Sequence, residues 1–243
     1  MATDCRDCPL RAMPCFENLR EDELAFISQF KAGELDVAAG TPIMIEQSKS
    51  PQLFTVLRGM GLRYKTLSDG RRQVTNFIMP GDLVGVQGAL LDGLSYSVEA
   101  TTEMTLCVFR RSELWKLFRA HPERGFDLTW LVCKEEHFLG EALTTVGQRS
   151  ALERISWALV HIHDRARELR LVENGILTFP FRQQDLADAL GLSLVHTNKT
   201  LAKLRERNLA TWSEGLLRIN DRETLREIAM MDDSASSKPR PLL

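Results

Sequence analysis

Two groups of residues in this 243-residue chain have types and spacing that could support chemistry. The first is a set of thiols near the N-terminus, Cys5-x2-Cys8-x6-Cys15, to which the distant Cys107 and Cys133 add two more. The second is a polar and basic run between residues 182 and 207. Since the sequence shows no secretion signal and no apolar run of membrane length, we expect a cytoplasmic protein. In that compartment the cysteines are expected to be thiols, metal ligands or sensors rather than disulfides.

The run from 182 to 207 predicts two helices joined by a tight turn. Gly191 tolerates the positive φ that such a turn needs, and the Ser193 hydroxyl is placed to cap the second helix. Helical spacing puts four apolar or small residues on its inward face: Leu194, Thr197, Leu201 and Leu204. This helix–turn–helix pattern is typical of DNA readers, and the plainer alternative is a helical hairpin with solvated lysines.

The residues predicted to reach DNA lie at the start of the first helix and on the second helix with its cap. They are Gln183, Gln184, Ser193, Val195, His196, Thr197, Asn198, Lys199 and Lys203. In a major groove Lys199 can donate to guanine, and Asn198 can pair with adenine. Val195 and the methyl group of Thr197 can contact a thymine methyl. The two glutamines and Lys203 are expected to contact phosphates.

The rest of the chain must position these groups. Residues 33–110 alternate with a period of two and are broken by turn signals such as Asp69-Gly70, which predicts many short strands. Beyond residue 110 the pattern is helical, and a capping box at Ser150 and Glu153 opens a new helix. A hairpin near Gly215 fits a wing beside the helix–turn–helix.

We therefore predict an α+β chain with an N-terminal β-roll (a cupin-like jelly roll), a long helix and a C-terminal winged helix–turn–helix. Its expected divisions are a cysteine-containing segment over 1–18, a sensory β-roll over 19–121, a dimerisation helix over 122–148, a DNA-binding unit over 149–231 and a disordered tail over 232–243.

The long helix is apolar on more than one side, which is too wide for a single neighbour. Such a helix between two domains predicts pairing with its own copy in a homodimer, and the alternative is packing on its own domain alone. The candidate dimer contacts are Phe126, Trp130, Leu131, Cys133, His137 and Phe138.

Composition and missing motifs limit the other functions. The chain is 44% hydrophobic and 26% charged with a net charge of −2, which indicates a globular protein without a general basic coat for nucleic acid. The sequence contains no nucleophile triad, Walker loop or dinucleotide loop. All five histidines follow the β-rich region: His121, His137, His161, His163 and His196. An enzyme, including a cupin-type metalloenzyme, is therefore not expected.

The order of elements and two motifs resemble the CRP/FNR family of bacterial transcription regulators, in its FNR/FixK-like branch. Residues 80–85 (Pro-Gly-Asp-Leu-Val-Gly) are similar to a turn in the family's β-roll, which is of the cyclic-nucleotide-binding type, and residues 184–193 open its helix–turn–helix. The resemblance covers nearly the whole chain. It implies a homodimer that binds a pseudo-palindromic promoter site in double-stranded DNA and that recruits or blocks RNA polymerase.

Several positions depart from the family's ligand and base contacts. Members that bind cyclic AMP hold its phosphate with a glutamate and an Arg-Ser pair, where this chain has Val86 and Tyr96-Ser97. Without the arginine the phosphate loses a bidentate partner, so cyclic AMP is not expected. On the second helix, Val195 and Lys199 stand where relatives carry glutamate and arginine, which predicts a different DNA half-site. The competing hypothesis is a β-roll that binds another small effector and a helix–turn–helix that contacts proteins.

The FNR branch uses three N-terminal cysteines, as C-x2-C-x5-C, and one strand cysteine to bind an oxygen-labile [4Fe–4S] cluster. By that resemblance Cys5, Cys8, Cys15 and Cys107 are candidate cluster ligands in an oxygen or redox sensor. The second spacing is six residues here, and the following Pro-Leu-Arg also resembles relatives without a cluster. Zinc binding, other thiol chemistry and purely structural cysteines therefore stay open. Cys133 is expected only to pack.

Overall fold

The computed structural model describes residues 2–91, 93–231 and 239–243. By their internal contacts, they form two compact units. One unit comprises residues 2–66, 76–136 and 239–243 without residue 92, and the other comprises residues 67–75 and 137–231. The boundary falls within one long helix, Pro122–Gln148.

The β-rich part of the chain forms two four-stranded sheets. In spatial order, one contains β1 (Lys31–Val37), β8 (Met104–Arg110), β3 (Gln52–Arg58) and β6 (Leu83–Val84). The other contains β2 (Pro42–Met44), β7 (Ser97–Ala100), β4 (Gly61–Thr66) and β5 (Arg72–Ile78). Because side chains alternate along a strand, one face of each sheet supplies a shared core that includes Phe54, Val56, Ile78, Val98, Leu106 and Val108.

The opposite side of β3 and β8 carries the residues that alternate with this core. On β8 these are Cys107 and Phe109, and Thr55 of β3 lies opposite Cys107 in the antiparallel register. Helix α1 (Glu21–Phe30) buries Leu24, Ile27 and Phe30. Phe30 stacks on Phe109, with ring centroids 5.2 Å apart, so α1 covers this side of the sheet.

The next four helices along the chain connect and follow the strands of the β-rich part. They are α2 (Val86–Leu90), α3 (Leu114–Ala120), α4 (Pro122–Gln148) and α5 (Ala151–Glu168). The capping box predicted at Ser150 is confirmed, since its backbone N–H donates to the Glu153 carboxylate at 2.8 Å. Two short 3-10 turns, Cys5–Asp7 and Pro9–Ala12, lie in the cysteine-containing N-terminal segment. No helix in the described part of the chain is long and apolar enough to cross a membrane.

The predicted disordered tail needs a correction. Residues 232–238 lie outside the described residues. For residues 239–243 the prediction is wrong, because Leu242 and Leu243 are only 6% and 8% exposed against the first unit. A Ser- and Pro-rich composition indicates disorder, but it carries no information about a distant apolar surface that can bury two leucines.

The second unit contains the predicted winged helix–turn–helix. After α5 come β9 (Val172–Glu173), β10 (Ile176–Thr178), α6 (Gln183–Leu190), α7 (Leu194–Glu206), β11 (Ala210–Ser213), β12 (Leu216–Ile219) and α8 (Arg222–Ile228). The four strands form one sheet in the order β11-β12-β10-β9. The predicted fold, a β-roll followed by a long helix and a winged helix–turn–helix, is confirmed.

The turn between α6 and α7 forms as its residues predict. Gly191 ends α6 in the left-handed conformation at φ 62° and ψ 37°, where a side chain would be strained. Ser193 caps α7, because its hydroxyl accepts the His196 N–H at 3.2 Å. These two residues fix the angle at which α7 leaves α6.

The inward face of α7 overturns one predicted DNA contact. Thr197 is 0% exposed and packs with Thr200, Leu201 and Leu204. The prediction that its methyl group contacts thymine is therefore wrong, since the helical period that turns Leu201 and Leu204 inward also turns Thr197 inward. Leu194, in contrast, was predicted to face inward but is 39% exposed.

Replacing Thr197 with valine should not weaken DNA binding. The Thr197 hydroxyl is buried without a hydrogen-bond partner among the described residues, so Thr197→Val should leave the free energy of unfolding unchanged or raise it by about 1 kcal/mol. Urea unfolding and DNA titration measure both quantities. Thr200→Val is the control, because it removes a 2.9 Å hydrogen bond to the His196 carbonyl and should destabilise the unit. Weaker DNA binding by Thr197→Val at unchanged stability would contradict the inward placement.

Candidate nucleic-acid interface and cysteine pocket

The exposed face of α7 gathers most of the predicted DNA contacts. Val195 is 64% exposed, and His196, Asn198, Lys199 and Lys203 are also exposed. Arg205 and Arg207, in the last turn and at the C-cap of α7, are further exposed cations. This face is therefore polar and locally basic although the whole chain is slightly acidic, which suits contact with a phosphate backbone.

The remaining predicted contacts lie where α6 and α7 begin. The Ser193 hydroxyl oxygen accepts the capping hydrogen bond of α7, so its O–H group remains available as a donor to a ligand. Gln184 is exposed and donates to Asp188 at 2.6 Å, whereas Gln183 is half-buried. Both glutamines stand in the first turn of α6, where backbone N–H groups also favour an anion.

A buried carboxylate that the sequence analysis missed fixes the start of α6. Asp185 is 1% exposed and accepts hydrogen bonds from the Arg182 backbone N–H at 2.8 Å and from the Arg182 guanidinium at 3.1 Å. Burial alone would raise the pKa of Asp185, but the hydrogen bonds from Arg182 and Arg72 together outweigh it and hold the pKa below its usual value. The three-residue spacing of a capping box was the signal that could have found it.

Three of the predicted cysteines meet in one apolar pocket of the first unit. Cys5, Cys8 and Cys107 line it, on the side of the sheet that α1 covers. About 30 Å³ of free space remains there. The other lining residues are Leu10, Arg11, Leu19, Leu24, Ile27, Lys31, Thr55, Leu57, Phe109, Leu242 and Leu243. We call this site the cysteine pocket.

Burial favours the protonated form of two of the pocket's thiols, Cys107 and Cys5. Burial raises the pKa of Cys107 to about 11, against a smaller opposing effect of Lys31, and burial also raises the pKa of Cys5. Lys31 donates to the Thr3 carbonyl and to Glu34, each at 2.7 Å, and so ties the N-terminal segment to β1. Buried thiols of this kind react slowly, because the thiolate is the reactive form.

Cys15 lies outside the pocket lining in the part of the chain that the structure describes. Its backbone carbonyl accepts the Arg240 N–H at 2.7 Å. No group of three or more His, Cys, Asp or Glu side chains in that part of the chain is arranged to bind a metal ion. Three thiols around about 30 Å³ of space, with the fourth elsewhere, do not fit ligation of a four-iron cluster in this conformation.

Tyr96 stands at one of the positions where the resemblance predicted a phosphate contact in members that bind cyclic AMP. Its hydroxyl accepts the Gly85 N–H at 3.2 Å, and the Ser97 hydroxyl accepts the Glu46 N–H at 3.0 Å. The guanidinium of Arg63 lies 5.1 Å from the Tyr96 ring centroid and also binds Glu135 on α4. Burial raises the pKa of Tyr96, so this phenol stays neutral. The hydroxyls and the nearby cation are thus engaged with the protein's own groups.

The predicted dimer contacts on α4 differ in how exposed they are. Phe126 is 64% exposed, and Cys133 and His137 are exposed as well. Trp130 and Leu131 are half-buried. Phe138 stacks on His161 and Trp157 of its own unit, with centroids 4.8 and 6.0 Å away. Three exposed apolar residues of α4 were not anticipated: Val132, Leu139 and Leu143.

Comparison with known proteins agrees with both halves of this architecture. A cyclic nucleotide-binding domain matches residues 34–121, and a Crp-like helix-turn-helix domain matches residues 153–228. The transcriptional activator protein FnrL of Cereibacter sphaeroides is 30% identical over 204 residues, which cover 83% of this chain and 81% of FnrL. The nitrogen fixation regulation protein FixK of Rhizobium meliloti is 32% identical over 173 residues, which cover 70% of this chain and 74% of FixK.

A solved structure shows the same fold. FixK2 from Bradyrhizobium japonicum has a TM-score of 0.71 at 23% identity, covering 80% of this chain and 96% of that structure. The named relatives are regulators of transcription or of nitrogen fixation rather than enzymes. With both domains matched in order, and with FnrL 30% identical over four-fifths of its length, the chain belongs to the CRP/FNR family of DNA-binding transcription regulators, in its FNR/FixK-like branch.

Proposed function

We propose that this regulator binds a pseudo-palindromic promoter site as a homodimer and there recruits or blocks RNA polymerase. The observation that carries the proposal is the exposed polar and basic face of α7, held by the Gly191 turn and the Ser193 cap. Two copies of α7 related by a two-fold axis would enter successive major grooves about 34 Å apart.

Base reading is assigned to the centre of the exposed face. Lys199 donates to guanine, Asn198 pairs with adenine, and Val195 contacts a thymine methyl. Gln183, Gln184 and Lys203 sit at its edges and contact phosphates. With Thr197 turned inward, Val195 alone supplies the apolar contact, so the half-site is read mainly through polar groups.

Lys199→Ala should relax specificity at one base step of the half-site by about 1–3 kcal/mol, because the donor to guanine is lost. Footprinting on the promoter region of its own gene, followed by titration of single-base variants, measures this. Lys203→Ala is the matched control and should weaken all sequences equally, lowering the salt slope by about one. A uniform loss with Lys199→Ala would make it a phosphate contact instead. The competing role, a helix–turn–helix used for protein contacts, would leave no footprint.

The dimer contact is assigned to the exposed side of α4. At about 100° per residue, Val132, Leu139 and Leu143 fall within about 40° of one another on the helix surface. Phe126, Cys133 and His137 form a second exposed seam beside them. Apolar residues at spacings of seven and four are those that two packed helices bury against each other.

Leu139→Glu and Leu143→Glu should each convert the dimer into a monomer, because a charge would be buried in the apolar seam without a partner. Light scattering after size-exclusion chromatography measures the mass. Glu141→Lys is a control on the same helix, since this exposed position lies away from the stripe and also changes charge. Variants that stay dimeric at micromolar concentration would remove α4 as the dimer contact.

We further propose that the cysteine pocket makes the regulator sensitive to oxygen or other oxidants. The support is the meeting of Cys5, Cys8 and Cys107 in one site. Since Cys15 is outside that site, the proposal is for thiol chemistry of three cysteines, and a [4Fe–4S] cluster with all four would require another conformation of residues 5–15.

Cys15→Ser and Cys107→Ser separate the two chemistries. We expect Cys107→Ser, but not Cys15→Ser, to abolish any difference in DNA affinity between protein kept without oxygen and protein exposed to air. Iron and acid-labile sulfide should be measured in anaerobically purified wild type and both variants. Stoichiometric iron that Cys15→Ser removes would establish the four-cysteine cluster and contradict the three-thiol proposal.

A further inference from the structure

The residues Pro239–Leu243, which we call the docked segment, are attached to the N-terminal segment through their backbone. The Arg240 N–H donates to the Cys15 carbonyl at 2.7 Å, and the Arg240 carbonyl accepts the Glu17 N–H at 2.9 Å. This pair forms a parallel bridge opposite Phe16. Residues more than 220 positions apart are thereby held side by side within one unit.

An ion pair between the half-buried Arg240 and the buried Asp82 strengthens the attachment. The Arg240 guanidinium lies 2.8 Å from one carboxylate oxygen of Asp82, which is 6% exposed. The other oxygen of Asp82 accepts the Met79 N–H at 2.9 Å, so the carboxylate is held by the turn over 79–82. Phe16 is buried over Gly81, where an added Cβ would lie 2.2 Å from the ring.

The two leucines of the docked segment enter the cysteine pocket. Leu242 and Leu243 are nearly buried, and both line the same cavity as Cys5, Cys8 and Cys107. About 30 Å³ is left free, roughly the volume of one water molecule. The free space beside the buried Cys107 thiol is therefore small while the leucines are in place.

We propose that the docked segment is an intramolecular plug, whose docking and release decide whether the buried Cys107 thiol can be reached from solvent. In the docked state the leucines cover one wall of the pocket beside Cys107, and in the released state that wall is open to solvent while α1 still covers the rest. Arg240 sets the equilibrium between the docked and released states, because its ion pair and backbone bridge hold the two leucines at the pocket. Release also supplies the space that a larger ligand of the thiols would need.

The proposal goes beyond the proposed DNA binding and redox control, since thiol accessibility is measured on the full chain without DNA. The experiment follows alkylation of each cysteine by N-ethylmaleimide, resolved by mass spectrometry, in reduced protein. Cys133 is exposed on α4 and serves as the internal reference.

In the double variant Leu242→Ser/Leu243→Ser, alkylation of Cys107 should be at least about tenfold faster than in the wild type, because the plug loses its buried apolar surface and the open state gains population. Arg240→Ala should accelerate Cys107 to a smaller extent. The Cys133 rate should not change in either variant. Met230→Ser is the matched control, since it replaces an exposed apolar side chain and should leave Cys107 protected.

An unchanged Cys107 rate in both plug variants would overturn the proposal. If the double variant fails to fold, shown by a lost thermal transition, Arg240→Ala decides alone because it leaves the pocket lining intact. A second arm adds the peptide Pro-Arg-Pro-Leu-Leu to protein lacking residues 239–243. Protection of Cys107 should return with this peptide and not with one in which both leucines are serine, and equal rates with both peptides would also overturn the proposal.

Discussion

A buried cation at the start of α4 is the interaction on which the first unit depends. Arg124 is 7% exposed, and its guanidinium lies 3.2 Å from the carboxylate of Glu23 and 2.9 Å from that of Asp127. Removing one member of such a buried group costs about 3–5 kcal/mol, because the remaining charge stays buried. Glu23 belongs to α1, so the helix that covers the cysteine pocket and the helix with the exposed apolar stripe are fixed to each other by charge. Further along α4, Glu135 binds Arg63 and Asn76 of the sheet and gives the same helix a second attachment.

Local signals in the sequence were sufficient to predict the helices and strands, including the DNA-reading helix α7. The Gly191 turn, the Ser193 cap and the Ser150 capping box each depend on residues within four positions of one another, so their chemistry is visible in the sequence itself. The two-residue period of the strands likewise separated the shared core from the side that carries Cys107. The DNA contact predicted for Thr197 was wrong because it depended on residue type alone. A methyl group suits contact with thymine, but the helical period turns this side chain inward.

Contacts between distant residues could not be predicted in the same way. Arg240 with Asp82, Arg63 with Glu135, and Cys107 with Cys5 are separated by 158, 72 and 102 positions, and nothing in the local composition pairs them. The cysteine spacing suggested that all four N-terminal and strand thiols converge. In the structure the two prolines and the 3-10 turn between Cys8 and Cys15 carry the last thiol away to the bridge with Arg240.

The bridge between residue 16 and residue 240 also has a consequence for biosynthesis. The docked segment follows Cys107 by about 130 residues, so at typical ribosomal rates it is made roughly 7 to 26 seconds later. During that interval the strands and α1 can fold while the leucines that fill the pocket do not yet exist. If the docked segment acts as the proposed plug, Cys107 of the nascent chain is accessible to small reagents during this interval. It becomes covered only when Leu242 and Leu243 have been synthesised and have docked.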